Sequence, residues 1–142
     1  MQRYMSKISG PLLDRIDLHI EVQPVPFDKI SDERRGEASK IIRERVTIAR
    51  ELQTKRFKDN EKVHNNAQMN VKQIRDYCEL NEASKTLLKS AMDSLNLSAR
   101  AFDRILKVAR AIADLSSEEF ILPEHIGEAI QYRSLDREGW LG

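Results

Sequence analysis

The first regular pattern in the chain is a strict alternation of apolar and polar residues over Ile16-Asp17-Leu18-His19-Ile20-Glu21-Val22. A period of two predicts a strand buried on one face, with His19 on its polar side. It ends at Gln23-Pro24-Val25-Pro26, where two prolines forbid helix and interrupt strand pairing. A single strand leaves its backbone groups unpaired, so its sheet partners are expected outside this sequence.

Beyond the prolines the period changes to that of a helix. Ser31, followed by Asp32 and Glu33, predicts an N-cap with acids in the first turn. Ala38, Ile41, Ile42, Val46, Ala49 and Leu52 then form one apolar stripe that reaches about Phe57. A helix over 31–58 would be roughly 35–40 Å long, enough to bridge two units. Residues 59–70 are rich in Asn, lack periodicity and read as loop.

Four shorter helices follow. Asn70 with Gln73 resembles a capping box for a helix over about 71–78. Asn81 opens another, carrying Ala83, Leu87, Leu88, Ala91, Met92 and Leu95 on one side. Ser98 caps the most strongly patterned helix, which is expected to bury Ala101, Phe102, Ile105, Leu106, Val108, Ala109, Ile112 and Ala113. Pro123 suits a first helical position, with Ile126, Ala129 and Ile130 buried behind it. Residues 63–135 therefore predict a four-helix bundle with short loops. The fold expectation is mainly α: a small helical bundle, a long preceding helix and one orphan strand. The chain divides at 1–26, 27–62 and 63–142.

Composition agrees with this reading. The chain has 142 residues, 40% of them hydrophobic, with only 5 Gly and 4 Pro, which fits a helix-rich protein. Cys78 is the single cysteine, so no internal disulfide can form, and it reads as a small buried hydrophobe. No apolar run approaches the roughly 18–20 residues of a membrane span, and Met1–Ser9 lacks the core of a signal peptide. A cytoplasmic protein without membrane contact is expected. The formal net charge is +1, but residues 34–62 hold ten Lys/Arg against five Asp/Glu, a local +5. A basic helix face is usually a solvated one, but it can also track phosphates. No aromatic platform accompanies it beyond Phe57, so base stacking is not supported.

The usual catalytic signatures are missing. No glycine precedes Lys-Ser or Lys-Thr, so the sequence has no phosphate-cradling loop. No apolar strand ends in an acidic pair that would hold magnesium. His19, His64 and His125 are scattered, without a Cys, His or Glu at ligand spacing, so no metal site is expected. Alone, the chain is not expected to be an enzyme.

Three segments are more particular. In Lys7-Ile8-Ser9-Gly10-Pro11-Leu12-Leu13-Asp14-Arg15-Ile16-Asp17, a Gly-Pro turn delivers an Asp-Arg pair just before the alternating stretch. On the residues alone, the plainer reading is a surface charge group of Arg15 with Asp14 or Asp17, worth little energy. In Leu97-Ser98-Ala99-Arg100-Ala101-Phe102-Asp103-Arg104, Arg100 falls in a first helical turn, where a cation opposes the helix dipole. Positions that break a local rule are where functional residues are expected. Arg104 lies one turn on, and with Lys107 forms a basic ridge. The third segment, Glu128-Ala129-Ile130-Gln131-Tyr132-Arg133, reads as the closing helix of the bundle.

Together these segments resemble the magnesium-chelatase-like AAA+ family, most closely its ComM/YifB-type competence-protein branch, over nearly the whole chain. The resemblance implies the C-terminal lid and sensor region of a ring-forming ATPase. It implies that Arg15 is an arginine finger reaching the ATP of a neighbouring subunit. It implies that Arg100 is the second sensor, in contact with the γ-phosphate region, with Arg104 a weaker candidate. The implied cofactors are ATP and Mg²⁺, bound by the longer parent protein and not by this fragment. The implied partners are the parent's own upstream core, neighbouring subunits of a homo-oligomeric ring (a hexamer) and DNA handled by a competence-related motor. The alternatives are a helical interaction module for protein or DNA, and a chelatase-type motor, although no residues here suggest a metal or porphyrin site.

Overall fold

A computed structural model describes residues 12, 15–20, 22–25 and 36–133. Among these, five α-helices follow in order: α1 (Ser39–Arg56), α2 (Val71–Tyr77), α3 (Glu82–Ser94), α4 (Ala99–Leu115) and α5 (Pro123–Gln131). A short 3-10 turn, Asn66–Gln68, lies in the segment between α1 and α2. The mainly helical bundle expected from the sequence is the observed fold.

The local starts form as the sequence predicts. Asn70 and Gln73 make a reciprocal capping box at the head of α2. The Asn81 side chain accepts the Ser84 N–H, and Ser98 accepts the Ala101 N–H, so each satisfies a donor that a helix N-terminus leaves open. Pro123 occupies the first turn of α5. There Nδ1 of the buried His125 accepts the Leu122 N–H at 3.0 Å, which gives this histidine a structural role.

Helix α4 runs through the centre. Ala101, Ile105, Ala109 and Ala113 are fully buried along it, and its alanines let α5 and α1 approach closely. Leu88 of α3, Ile74 of α2 and Ile126 of α5 complete the core around it, with Phe57, Met69 and Ile121. Burying side chains of this size contributes about 1.5–3 kcal/mol each. Phe57 meets Tyr77 edge to face, ring centroids 5.5 Å apart. Cys78 is buried, with its Sγ 3.7 Å from the Leu106 carbonyl, and burial pushes its thiol pKa up to about 12. It is the inert small hydrophobe that its isolation in the sequence suggests.

Four expectations need correction. The expected cap at Ser31 lies outside the described residues; Gly36, Glu37 and Ala38 are non-helical, and α1 starts at Ser39 without a side-chain cap. Glycine is a poor helix residue, and Glu37 instead folds back to pair with Arg45 at 3.0 Å. Eighteen residues give roughly 27 Å, shorter than expected.

Only the second half of α1 joins the core, through Ala49 and Gln53, while Ile41, Ile42 and Val46 stay 40–54% exposed. The stripe continues past the core it belongs to.

The strand over Ile16–Val22 is not formed among the described residues, which contain no β-ladder beyond an isolated bridge between Leu80 and Ile121. Without a neighbouring strand, the His19 N–H donates to the Tyr132 carbonyl at 2.7 Å, and His19 is buried rather than on a polar face.

Finally, Phe102 is 38% exposed and Leu87 likewise, whereas Arg110 and Asp114 occupy interior positions on α4.

Candidate functional site

The singled-out arginines sit in different surroundings. Arg15 is exposed, in a turn closed by its own N–H donating to the Leu12 carbonyl at 3.0 Å. Arg100 is the second residue of α4, just after the Ser98 cap. Its side chain is exposed and makes no hydrogen bond or ion pair among the described residues. A guanidinium held over the positive end of a helix, beside amide donors already aimed outward, suits an anionic group brought from outside.

Arg104 is not free in this way. It pairs with Asp17, two residues after Arg15. Because Arg100 and Arg104 are four apart on one helix face, that contact lays the Arg15 segment beside the head of α4. Asp17 thus answers Arg104, not Arg15 as local spacing suggests. Lys107, the third member of the basic ridge, donates to the Ala67 carbonyl at 2.9 Å. Burial lowers its pKa, and the Arg104 charge adds to the effect. The ridge is therefore mostly spent on internal contacts, with Arg100 left facing outward.

Arg133 is the largest fully buried side chain in the described residues. It donates to the Ile16 carbonyl, and Leu18 lines a groove of about 390 Å³ with Val108, Ile112, Leu115 and Tyr132. The stretch 16–19 thus lies across α4 and the end of α5.

A second polar centre, which periodicity does not reveal, sits at the far end of α4. The Asp114 side chain is fully buried and accepts from Arg56 Nη2 at 2.6 Å and Nη1 at 2.8 Å, from Asn66 Nδ2 at 2.8 Å and from Arg110 Nε at 3.1 Å. Arg110 also donates to the Glu119 and Glu118 carbonyls at 2.7 and 2.6 Å, closing the turn after α4, where Ser117 has a φ of 59°. Burial lowers the Arg110 pKa, an effect Asp114 opposes, and a guanidinium stays charged regardless. One carboxylate ties α1, the 3-10 turn, α4 and the following turn together. The available sequence signal was the Arg110–Asp114 pair at i,i+4 beside an alanine-rich stripe.

No group of three or more His, Cys, Asp or Glu residues that could hold a metal exists among the described residues. No helix there is long and apolar enough to cross a membrane. For a nucleotide, Arg15 and Arg100, the latter at a helix head, offer exposed guanidiniums suited to its phosphate end.

Comparisons with known proteins identify the family of the chain. The family described as magnesium chelatase, subunit ChlI C-terminal, matches residues 36–133, and magnesium chelatase, subunit ChlI, matches residues 1–30. The chain is 43% identical over 138 residues to competence protein ComM of Haemophilus influenzae, covering 96% of this chain and 26% of that one. It is 40% identical over 137 residues to the Escherichia coli protein YifB, covering 95% and 26%. With the Mycobacterium tuberculosis protein Rv2897c the identity is 32% over 132 residues, covering 93% and 26%. The chain spans about a quarter of the length of these relatives. It belongs to the magnesium-chelatase family, and its helical bundle is that family's ChlI-type C-terminal domain.

Proposed function

We propose that this chain is the lid and sensor region of a ring-forming ATPase, working within a longer cytoplasmic polypeptide that binds ATP and Mg²⁺ through segments outside this sequence. The observation that carries the reading is the pairing of two solvent-facing arginines with opposite duties. Arg15 stands just before a segment laid on the lid, and Arg100 at the head of the lid's central helix. ATP and Mg²⁺, when bound, supply the transferable phosphoryl group and its charge neutralisation. The residues here orient and sense. Arg100 meets the γ-phosphate end, and Arg15 serves the neighbouring subunit's site, so turnover depends on assembly. Phosphoryl transfer spreads negative charge over the transferred group, and an always-charged planar cation stabilises it best.

Arg100→Ala in the full-length protein is expected to lower ATP turnover by about a hundredfold to a thousandfold, the range for losing one charge-stabilising donor. The Ser98 cap stays intact, so the thermal transition should not move. Wild-type turnover in that variant would remove the sensor role.

A specific observation favours a second role alongside the first. On α1, Lys40, Arg43, Thr47, Arg50 and Thr54 follow one outward line, opposite the apolar stripe. This line suits the phosphate backbone of DNA, in keeping with a competence-type motor. The chain is expected to bind duplex DNA at low salt, and Lys40→Ala/Arg43→Ala/Arg50→Ala should flatten the log–log salt dependence by about three units. No retention of DNA by the wild-type chain at low ionic strength would refute this role.

A further inference from the structure

Arg133 has no part in the functions described so far, yet its side chain is only 1% exposed. Removing a guanidinium from water is costly unless directional acceptors replace the lost solvation. One acceptor is the carbonyl of Ile16, the residue next to Arg15. The carbonyl of Tyr132, Arg133's neighbour, takes the His19 N–H at 2.7 Å, and the His19 ring is itself buried. Between these two points Asp17 pairs with Arg104 of α4. Three of the four residues following Arg15 are therefore held by the lid, two by the end of α5 and one by α4. Arg15 itself is left exposed. The ion pair alone is partly solvated, at 28% and 48% side-chain exposure, and would hold little. The buried guanidinium, bonded to the Ile16 carbonyl, and the His19–Tyr132 main-chain bond supply the rigidity.

We infer that Arg133 is a positioning residue for Arg15, and that with the Arg104–Asp17 pair it clamps the arginine-finger segment to the lid of its own subunit. This rests on the proposed role of Arg15. The clamp gives Arg104 a task different from meeting nucleotide. It also makes the two functional arginines move together: a displacement of α4, with Arg100 at its head, carries the Arg15 segment with it. The position of the lid is thereby transmitted to the arginine offered to the next subunit.

The experiment combines two readouts. In the full-length protein, Arg133→Met and Arg104→Gln are expected to lower kcat by about tenfold to a hundredfold with KM for ATP nearly unchanged, since misplacing a catalytic group by an ångström costs about that much. The charge exchange Asp17→Arg/Arg104→Asp should recover most of the loss seen in Arg104→Gln. A merely structural role would not produce that recovery or that split between kcat and KM. In the 142-residue chain, hydrogen exchange at the His19 amide should accelerate in both single variants. Arg104→Gln, at the surface, keeps the test valid if Arg133→Met does not fold. Unchanged His19 exchange in a folded variant overturns the clamp. Wild-type kcat in Arg104→Gln and Arg133→Met, with Arg15→Ala inactive, overturns the positioning role. If Arg15→Ala itself retains turnover, the finger assignment has failed, and the His19 exchange still judges the clamp.

Discussion

Arg15→Ala in the full-length protein is expected to reduce ATP turnover by about a thousandfold or more, the range typical of removing an arginine supplied in trans. Nucleotide affinity should change little, because the residue acts on charge that develops during transfer, not on the bound ground state. Arg15→Lys should recover only a small part of the loss. A lysine keeps the charge but not the planar fork of donors that can span two phosphate oxygens. Structure should be spared: Arg15 is exposed, and its turn is closed by a main-chain bond to Leu12. Steady-state turnover with equilibrium nucleotide binding checks this directly. Turnover near the wild-type value in Arg15→Ala would remove the finger role and leave Arg15 as a surface charge.

The second large effect concerns stability. Asp114→Ala is expected to destabilise the chain by about 3–5 kcal/mol, because Arg56 and Arg110 would keep their charges in a site that no longer answers them. The Asp114 side chain is fully buried, and the side chains of Arg110 and Arg56 are 3% and 15% exposed. Asn66 would lose an acceptor as well. For a domain of this size the midpoint of thermal unfolding should fall by roughly 10–20 °C. Asp114→Asn keeps the volume and one acceptor, so its loss should be smaller but still clear. Replacing the cluster together, as Arg56→Met/Arg110→Met/Asp114→Leu, should be far milder than Asp114→Ala, since the penalty comes from orphaned charge and not from the missing attraction. Denaturant unfolding of the three variants separates these outcomes. An Asp114→Ala protein as stable as wild type would mean that water reaches the site and the network carries no weight.

How much of this could be read from the sequence follows from the range of each interaction. Helix starts at Asn70, Asn81, Ser98 and Pro123 were legible because a cap is decided within four residues. The core positions Ile105, Ala109, Ile126 and Ala129 were legible because burial follows helical spacing. The Asp114 cluster was not, because Asn66 and Arg56 lie 48 and 58 positions away, and the nearby Arg110, like other charged residues beside an apolar stripe, ordinarily marks its solvent edge. The Asp17–Arg104 pair spans 87 positions and was invisible for the same reason. The alternation at 16–22 is a real signal, but a strand needs a partner, and the described residues provide none. Arg15 and Arg100 were conspicuous through motif and an ill-matched dipole, whereas Arg133 looked like an ordinary helix end.

The anchoring of α1 also shapes how the domain comes together. Helices α4 and α5 are close in sequence and share the most extensive packing, so their pairing closes only a short loop. Arg56 of α1 must reach Asp114 across 58 residues, and neither charge gains from leaving water before the other arrives. Helix α1 is therefore expected to dock late, its last two turns settling when the carboxylate is met. Its first two turns, carrying Ile41 and Ile42 in solvent, gain nothing from that step. They are expected to open independently of the bundle, and their amides should exchange fastest among the described helices.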